Sequence, residues 1–354
     1  MSDSRQAKLT IWVTEVLGQL KPENRGEISL SLVSGDASFR RYFRTYMGDS
    51  SFVAVDAPPK QEDSRMFVHI CNMFRDADIS VPKVFFADYE QGFMLLNDFG
   101  DQLYLDVLLG LRTSGCNNEI NSLYEAAINS LLDIQSRINK KRLDSYSKNE
   151  LHREMALFEE WFCTAFLELE INDAERGMIA KTLNFLEEAA LSQEQVVVHR
   201  DYHSRNLMIL DDNIFGEGSS PGIIDFQDAV SGAYTYDLVS LLRDAYICWD
   251  VSKVDSWALY YLERAKSSGL IANIDEAQFQ RDFDLMGLQR QLKVLGIFAR
   301  LYIRDNKVRY LADIPQVIDY FLEVSQCYIE LRPFLHWFRT KVLPIAETKL
   351  KINY

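Results

Sequence analysis

Three side chains are spaced to do chemistry together. Asp201 and Asn206 lie in His199-Arg200-Asp201-Tyr202-His203-Ser204-Arg205-Asn206, and Asp225 ends Gly222-Ile223-Ile224-Asp225. This set suits transfer of a phosphoryl group to a hydroxyl. Asp201 would accept the hydroxyl proton, while Asn206 and Asp225 would hold Mg²⁺ against the phosphates of ATP. The need is electrostatic: ATP brings several negative charges, so the site must supply a carboxylate-held cation and a base beside the attacking oxygen. With Asp and Asn each near one residue in twenty, the spacing follows a given His in roughly one case in four hundred. The five histidines raise that to about one chain in a hundred, so coincidence is a poor account. A competing assignment makes His199, Asp201 and His203 ligands of a transition metal. No Glu-rich or Cys-rich cluster accompanies them.

The flanking residues say what must position this set. Val196-Val197-Val198 runs into the loop and Leu207-Met208-Ile209-Leu210 leaves it. Asp211-Asp212-Asn213 is a turn signal, and Ile223-Ile224 is a second buried-strand candidate. A strand, turn, strand unit would therefore carry Asp201, Asn206 and Asp225 at its rims. Upstream, Leu9, Trp12, Val13, Val16, Leu17 and Leu20 fall at helical spacing, ended by Lys21-Pro22. Strands are expected over 28–32, 39–46, 51–55, 84–87 and 93–96, with a helix over 65–76. From Leu103 onward the spacing is helical, with segments over 123–138, 153–169, 176–190, 236–248, 256–267, 279–303 and 314–329. The fold class is α+β and bilobal. Residues 1–97 form a β-rich, nucleotide-binding N-lobe, 98–354 a mainly helical catalytic and substrate-binding C-lobe, and the hinge lies near 97–100.

Composition narrows the functional classes. A chain of 354 residues with 47% hydrophobic content can bury a large core. A formal net charge of −14 argues against nucleic acid and anionic membranes as partners. Residues 1–20 do not read as a signal peptide, and no stretch approaches the ~18 apolar residues of a spanning helix. Cys71, Cys116, Cys163, Cys248 and Cys327 are scattered and odd in number, as expected of reduced thiols in a cytoplasmic protein. Protein partners are not indicated.

Several further stretches carry a resemblance. They are Ser34-Gly35-Asp36-Ala37-Ser38-Phe39-Arg40-Arg41-Tyr42-Phe43-Arg44, Val55-Asp56-Ala57-Pro58-Pro59, Asn97-Asp98-Phe99-Gly100-Asp101, and the segments 225–230, 236–244 and 287–301. With the catalytic loop, they resemble the aminoglycoside/choline phosphotransferase family, which has a protein-kinase-like fold. Within it they are similar to the anomeric sugar kinases of bacterial cell-wall recycling. The loop points only to the superfamily; the flanking stretches point to the sugar branch. The resemblance implies an ATP- and Mg²⁺-dependent enzyme acting on a small-molecule amino sugar, at the anomeric hydroxyl of N-acetylmuramate or N-acetylglucosamine. Two alternatives stay open: a kinase for another small hydroxyl compound (an aminoglycoside, choline or homoserine), or a scaffold that binds nucleotide without turnover.

Residue roles follow from the match. Asp201 is the base, Asn206 and Asp225 hold the metal, and His199 braces the loop. Ser34, Gly35, Asp36, Ala37 and Ser38 resemble the turn over the nucleotide phosphates, whose backbone N–H groups could cap oxygens. Asn97, Asp98 and Phe99 lie where the hinge passes the adenine. One departure matters: Val53-Ala54-Val55-Asp56 puts an acid where kinases of the wider group carry a phosphate-binding lysine. The cation must come from elsewhere, with Arg41, Arg44, Arg40 and Lys60 as candidates. Arg290, Lys293 and Arg300 share one helical face and could meet the carboxylate of N-acetylmuramate or pair with neighbouring acids. His203, Arg205, Asp228 and Arg243 are further candidates for the sugar pocket.

Overall fold

The computed structural model describes residues 4–20, 28–34, 39–216, 218 and 220–351. They divide into two compact units, Met1–Val107 with Asn206–Asp228, and Leu108–Arg205 with Ala229–Tyr354.

The first unit is built on five antiparallel strands: β1 (Ser31–Ser34), β2 (Arg41–Met47), β3 (Ser50–Asp56), β4 (Val84–Asp88) and β5 (Phe93–Asn97), in the order β1-β2-β3-β5-β4. Alternation along a strand sorts its side chains onto two faces. Phe43, Met47, Phe52, Ala54, Phe93 and Leu95 form one core with Leu9, Val13, Val16 and Leu17 of the helix Ser4–Leu20. Tyr42, Val53, Val55, Met94 and Leu96 alternate with these and are matched across the strands as Tyr42↔Val55, Val55↔Met94 and Val53↔Leu96, which gives them the opposite face.

This register relocates Asp56. It has the parity of Ala54, so it lies on the face covered by the N-terminal helix and is fully buried. Arg5 from that helix donates to Oδ1 through Nε at 2.8 Å, and Arg41, its cross-strand partner, donates to Oδ2 at 3.1 Å. Two guanidiniums surround the carboxylate on the side of the sheet away from Tyr42 and Val55.

Four further strands are β6 (Gln195–Val198), β7 (Leu207–Met208), β8 (Gly222–Ile223) and β9 (Val230–Ala233). β7 and β8 pair antiparallel within the first unit. The expected turn at 211–213 is instead the start of a one-turn helix, Asp212–Phe215, because the Asp211 side chain accepts from the Asn213 N–H as an N-cap. The helix Ser64–Arg75 is likewise capped by Asp63, and its Phe67 and Phe74 pack against Phe226, with ring centroids 5.0 and 5.8 Å apart.

In the second unit β6 pairs antiparallel with β9. The sequence gives little sign of β9, since Ser231-Gly232 is a poor strand former; pairing with the Val-rich β6 makes it one. The segment expected as a helix over 236–248 ends at Leu242, where the backbone leaves helical geometry at Arg243. The helix Lys148–Leu157 continues as a π-helical stretch, Phe158–Phe166, with stacked Phe158, Phe162 and Phe166. The helix Glu276–Asp305 buries residues around its whole circumference, which marks it as the central element of this unit. Among the described residues no helix is long and apolar enough to cross a membrane.

At Gly296 of the central helix a Cβ would lie 2.4 Å from the Leu157 carbonyl carbon. Gly296→Ala should therefore lower the unfolding free energy by about 1–3 kcal/mol through overpacking, measured by denaturant melts. Gly177→Ala, in a helix with nothing within 4 Å of the new Cβ, should be neutral or stabilising.

Candidate active site

In the second unit β6 ends at Val198 and the loop turns sharply. Arg200 sits at φ +80°, a region that residues with a Cβ rarely adopt. The buried Asp237 carboxylate accepts from the backbone N–H groups of His199 at 2.6 Å and Arg200 at 3.0 Å. Arg290 donates to the Arg200 carbonyl at 2.8 Å, and Glu154 accepts from the Arg200 guanidinium. Burial pushes the Asp237 carboxyl up to about 7, against the two backbone donors and Arg290.

Asp201 follows directly and is partly exposed. Burial raises its carboxyl, but Lys293, His203, Arg290 and His199 together outweigh it and hold the group below the usual carboxylate range. It is ionised at neutral pH, the state in which a carboxylate can accept a proton. Tyr202 is buried and donates to the Ala127 carbonyl at 2.8 Å. The Ser204 N–H donates to Asp244 at 2.9 Å, so a second acid anchors the far end of the loop. Among the described residues no three His, Cys, Asp or Glu side chains gather to hold a metal, so His199, Asp201 and His203 do not form such a group. His203 instead meets the Tyr246 ring edge-on at 5.2 Å, and Arg205 stacks over the same ring at 3.6 Å.

Asn206 and Asp225 belong to the first unit. The register Leu207↔Ile223 and Met208↔Gly222 explains their meeting: the start of β7 and the end of β8 lie at the same end of an antiparallel pair. The Ile224 N–H donates to the Asn206 carbonyl at 3.1 Å, and the Asn206 amide reaches Asp225 Oδ2 at 3.5 Å. Asp225 is exposed, at φ +64°. A partly exposed amide and an exposed carboxylate fit a hard cation that takes oxygen ligands, one or two from protein and the rest from phosphate and water. On the sheet face of Tyr42 sits Arg40, buried, paired with Glu62 at 2.9 Å and over the Phe67 ring at 5.6 Å. Burial first, then the Asp225 charge, push the Tyr42 phenol above its ordinary range, while Arg40 hydrogen-bonds it.

The other candidates are engaged as follows. Arg41 serves Asp56. Arg44 spans Asp98 (3.0 Å) and Asp101 (2.7 Å), and Asn97 accepts from the Lys83 N–H. Phe99 packs with Met208 and Leu210. Ser34 ends β1; Gly35, Asp36, Ala37 and Ser38 lie outside the described residues. Arg243 pairs with Asp284 at 2.6 Å. Lys293 pairs with Glu154 at 3.0 Å, and Arg290 goes to the loop. Asp228 is exposed and accepts from Gln227 at 3.2 Å. Glu62 and Glu154 had no signal in the sequence, because the cations they pair with are 22 or more residues away.

The profile of the phosphotransferase enzyme family matches residues 29–278. A Pseudomonas putida N-acetylmuramate/N-acetylglucosamine kinase is 42% identical over 326 residues, covering 91% of this chain and 92% of its own. A kinase of the same name from Pseudomonas aeruginosa is 39% identical, with 90% and 91% covered. Among solved structures, the ADP-bound aminoglycoside phosphotransferase APH(2'')-Ib superposes with a TM-score of 0.56 at 14% identity, over 88% of this chain and 98% of that one. By the profile match and by near-full-length identity to two kinases, the chain belongs to the phosphotransferase enzyme family.

Proposed function

We propose that this enzyme transfers the γ-phosphoryl group of ATP to the anomeric hydroxyl of N-acetylmuramate or N-acetylglucosamine, releasing the sugar 1-phosphate and ADP. The observation that carries it is the 42% identity, over 91% of this chain, to a kinase named for both sugars. The retained Asp201, Asn206 and Asp225 support turnover over a silent scaffold. Such a reaction belongs in the cytoplasm, where ATP is supplied.

Asp201 would take the proton of the attacking hydroxyl; an anomeric hydroxyl is more acidic than an ordinary alcohol, so an ionised carboxylate suffices. Asn206 and Asp225 would hold Mg²⁺. A bound magnesium ion would neutralise phosphate charge as the leaving oxygen departs. Arg40 would supply the phosphate-binding cation. Arg40 lies just before β2 and Glu62 just before the helix Ser64–Arg75, and their pairing at 2.9 Å supports this by analogy with the lysine–glutamate pair that steadies the phosphate contact in kinases.

The first assay is ADP release from Mg·ATP with each sugar, and with choline and kanamycin, products being checked by phosphorus NMR. Turnover of choline or kanamycin alone would move the enzyme to another acceptor. Asp201→Asn should lower kcat roughly 10²–10⁴-fold with ATP still bound, as read by equilibrium dialysis. For Asp225→Ala, the Mg²⁺ concentration giving half-maximal rate should rise at least tenfold; an unchanged titration would remove Asp225 as a metal ligand. Arg40→Gln should raise KM for ATP more than KM for sugar, whereas Arg41→Gln should leave that ratio unchanged.

A further inference from the structure

The helical unit buries more charge beside the catalytic loop than the proposed chemistry consumes. Glu154, Lys293 and Arg290 are 4, 5 and 9% exposed. Glu154 lies 3.0 Å from the Lys293 ammonium, accepts from the Arg200 guanidinium, and accepts from the Tyr146 hydroxyl. Lys293 also donates to the Tyr236 hydroxyl at 2.9 Å. Arg290 donates to the Arg200 carbonyl and, at 2.7 Å, to the Ser240 hydroxyl. Buried ion pairs contribute little net stability, so a cluster of this size points to geometry. Its geometric target is Arg200, whose left-handed backbone persists only where its surroundings over-determine it. Three helices converge there. Lys148–Leu157 brings Glu154, Tyr236–Leu242 brings Asp237, and Glu276–Asp305 brings Arg290 and Lys293.

We propose that Glu154, Arg290 and Lys293 are positioning residues for the catalytic loop, locking Arg200 so that the Asp201 carboxylate stands where the hydroxyl proton is taken, and that Arg290 and Lys293 do not read the sugar. This rests on the phosphotransferase reading for the role of Asp201. It replaces the idea of a basic stripe for the N-acetylmuramate carboxylate: a cation tied to a loop carbonyl and a cation tied to Glu154 are both committed. The groups acting on Asp201 are Lys293 and Arg290 from the central helix, His199, Arg200 and His203 from the loop, Asp237 from the helix after β9, and Tyr246.

The test compares Glu154→Gln, Lys293→Met and the double variant, which removes both members of one buried pair and guards against simple unfolding, with the wild type. Each should lose at least tenfold in kcat, equally on N-acetylmuramate and N-acetylglucosamine, with KM for ATP and both sugars within twofold. In Lys293→Met the acid limb of kcat should also move to higher pH, because Asp201 loses the strongest cation that favours its ionised form. A loss confined to N-acetylmuramate, a KM effect alone, or an unchanged kcat in the folded double variant would overturn the proposal. If the wild type turns over neither sugar, the substrate assignment fails. The lock is then read by amide hydrogen exchange at 199–201, where faster exchange in the variants supports it and unchanged exchange overturns it.

Discussion

A catalytic carboxylate has to be ordered, which favours burial, and ionised, which burial opposes. On the role proposed for Asp201, the helical unit meets that conflict with charge placed around the loop. Lys293, Arg290, Arg200 and two histidines act on Asp201, and Glu154 pairs with both Lys293 and Arg200. No single pair would do, because a lone buried cation would be costly. Glu154 compensates two of these cations while Asp201 stays ionised. Asp237, pushed up by burial, acts as the acceptor for two backbone N–H groups.

Strand parity performs the corresponding sorting in the first unit. One residue's shift separates Val55, on the face of Tyr42, from Asp56, beneath the N-terminal helix. An acid that would have repelled phosphate therefore anchors Arg5 and Arg41, and the N-terminal helix is tied to the sheet by charge as well as by Leu9, Val13 and Leu17. The face left over carries Arg40 and Tyr42 together with the aromatic contacts to Phe226, next in sequence to Asp225.

Much of this was legible in the sequence because it is local. The spacing from His199 to Asn206 fixes a loop, the apolar runs on either side fix short strands, and the antiparallel register then brings Asp225 to Asn206. The five strands and the long helices followed from alternation and from helical spacing, with ends displaced by a few residues. What stayed hidden depends on distance along the chain. Glu154 reaches Arg200 across 46 residues and Arg5 reaches Asp56 across 51, and nothing in either neighbourhood signals the partner. The phase of Asp56 was also hidden, since a four-residue match to a strand motif does not say which side faces the core.

The segment Asn206–Asp228 completes the first unit although about a hundred residues of the second precede it. During synthesis, residues 1–107 therefore wait for a piece of their own core. At 5–20 residues per second the delay before Phe226 emerges is roughly 6–24 s. Through that interval Phe67 and Phe74 lack the ring that later covers them. The nascent chain thus carries an unfinished apolar surface, of the kind chaperones bind, for longer than its helical segments need to form.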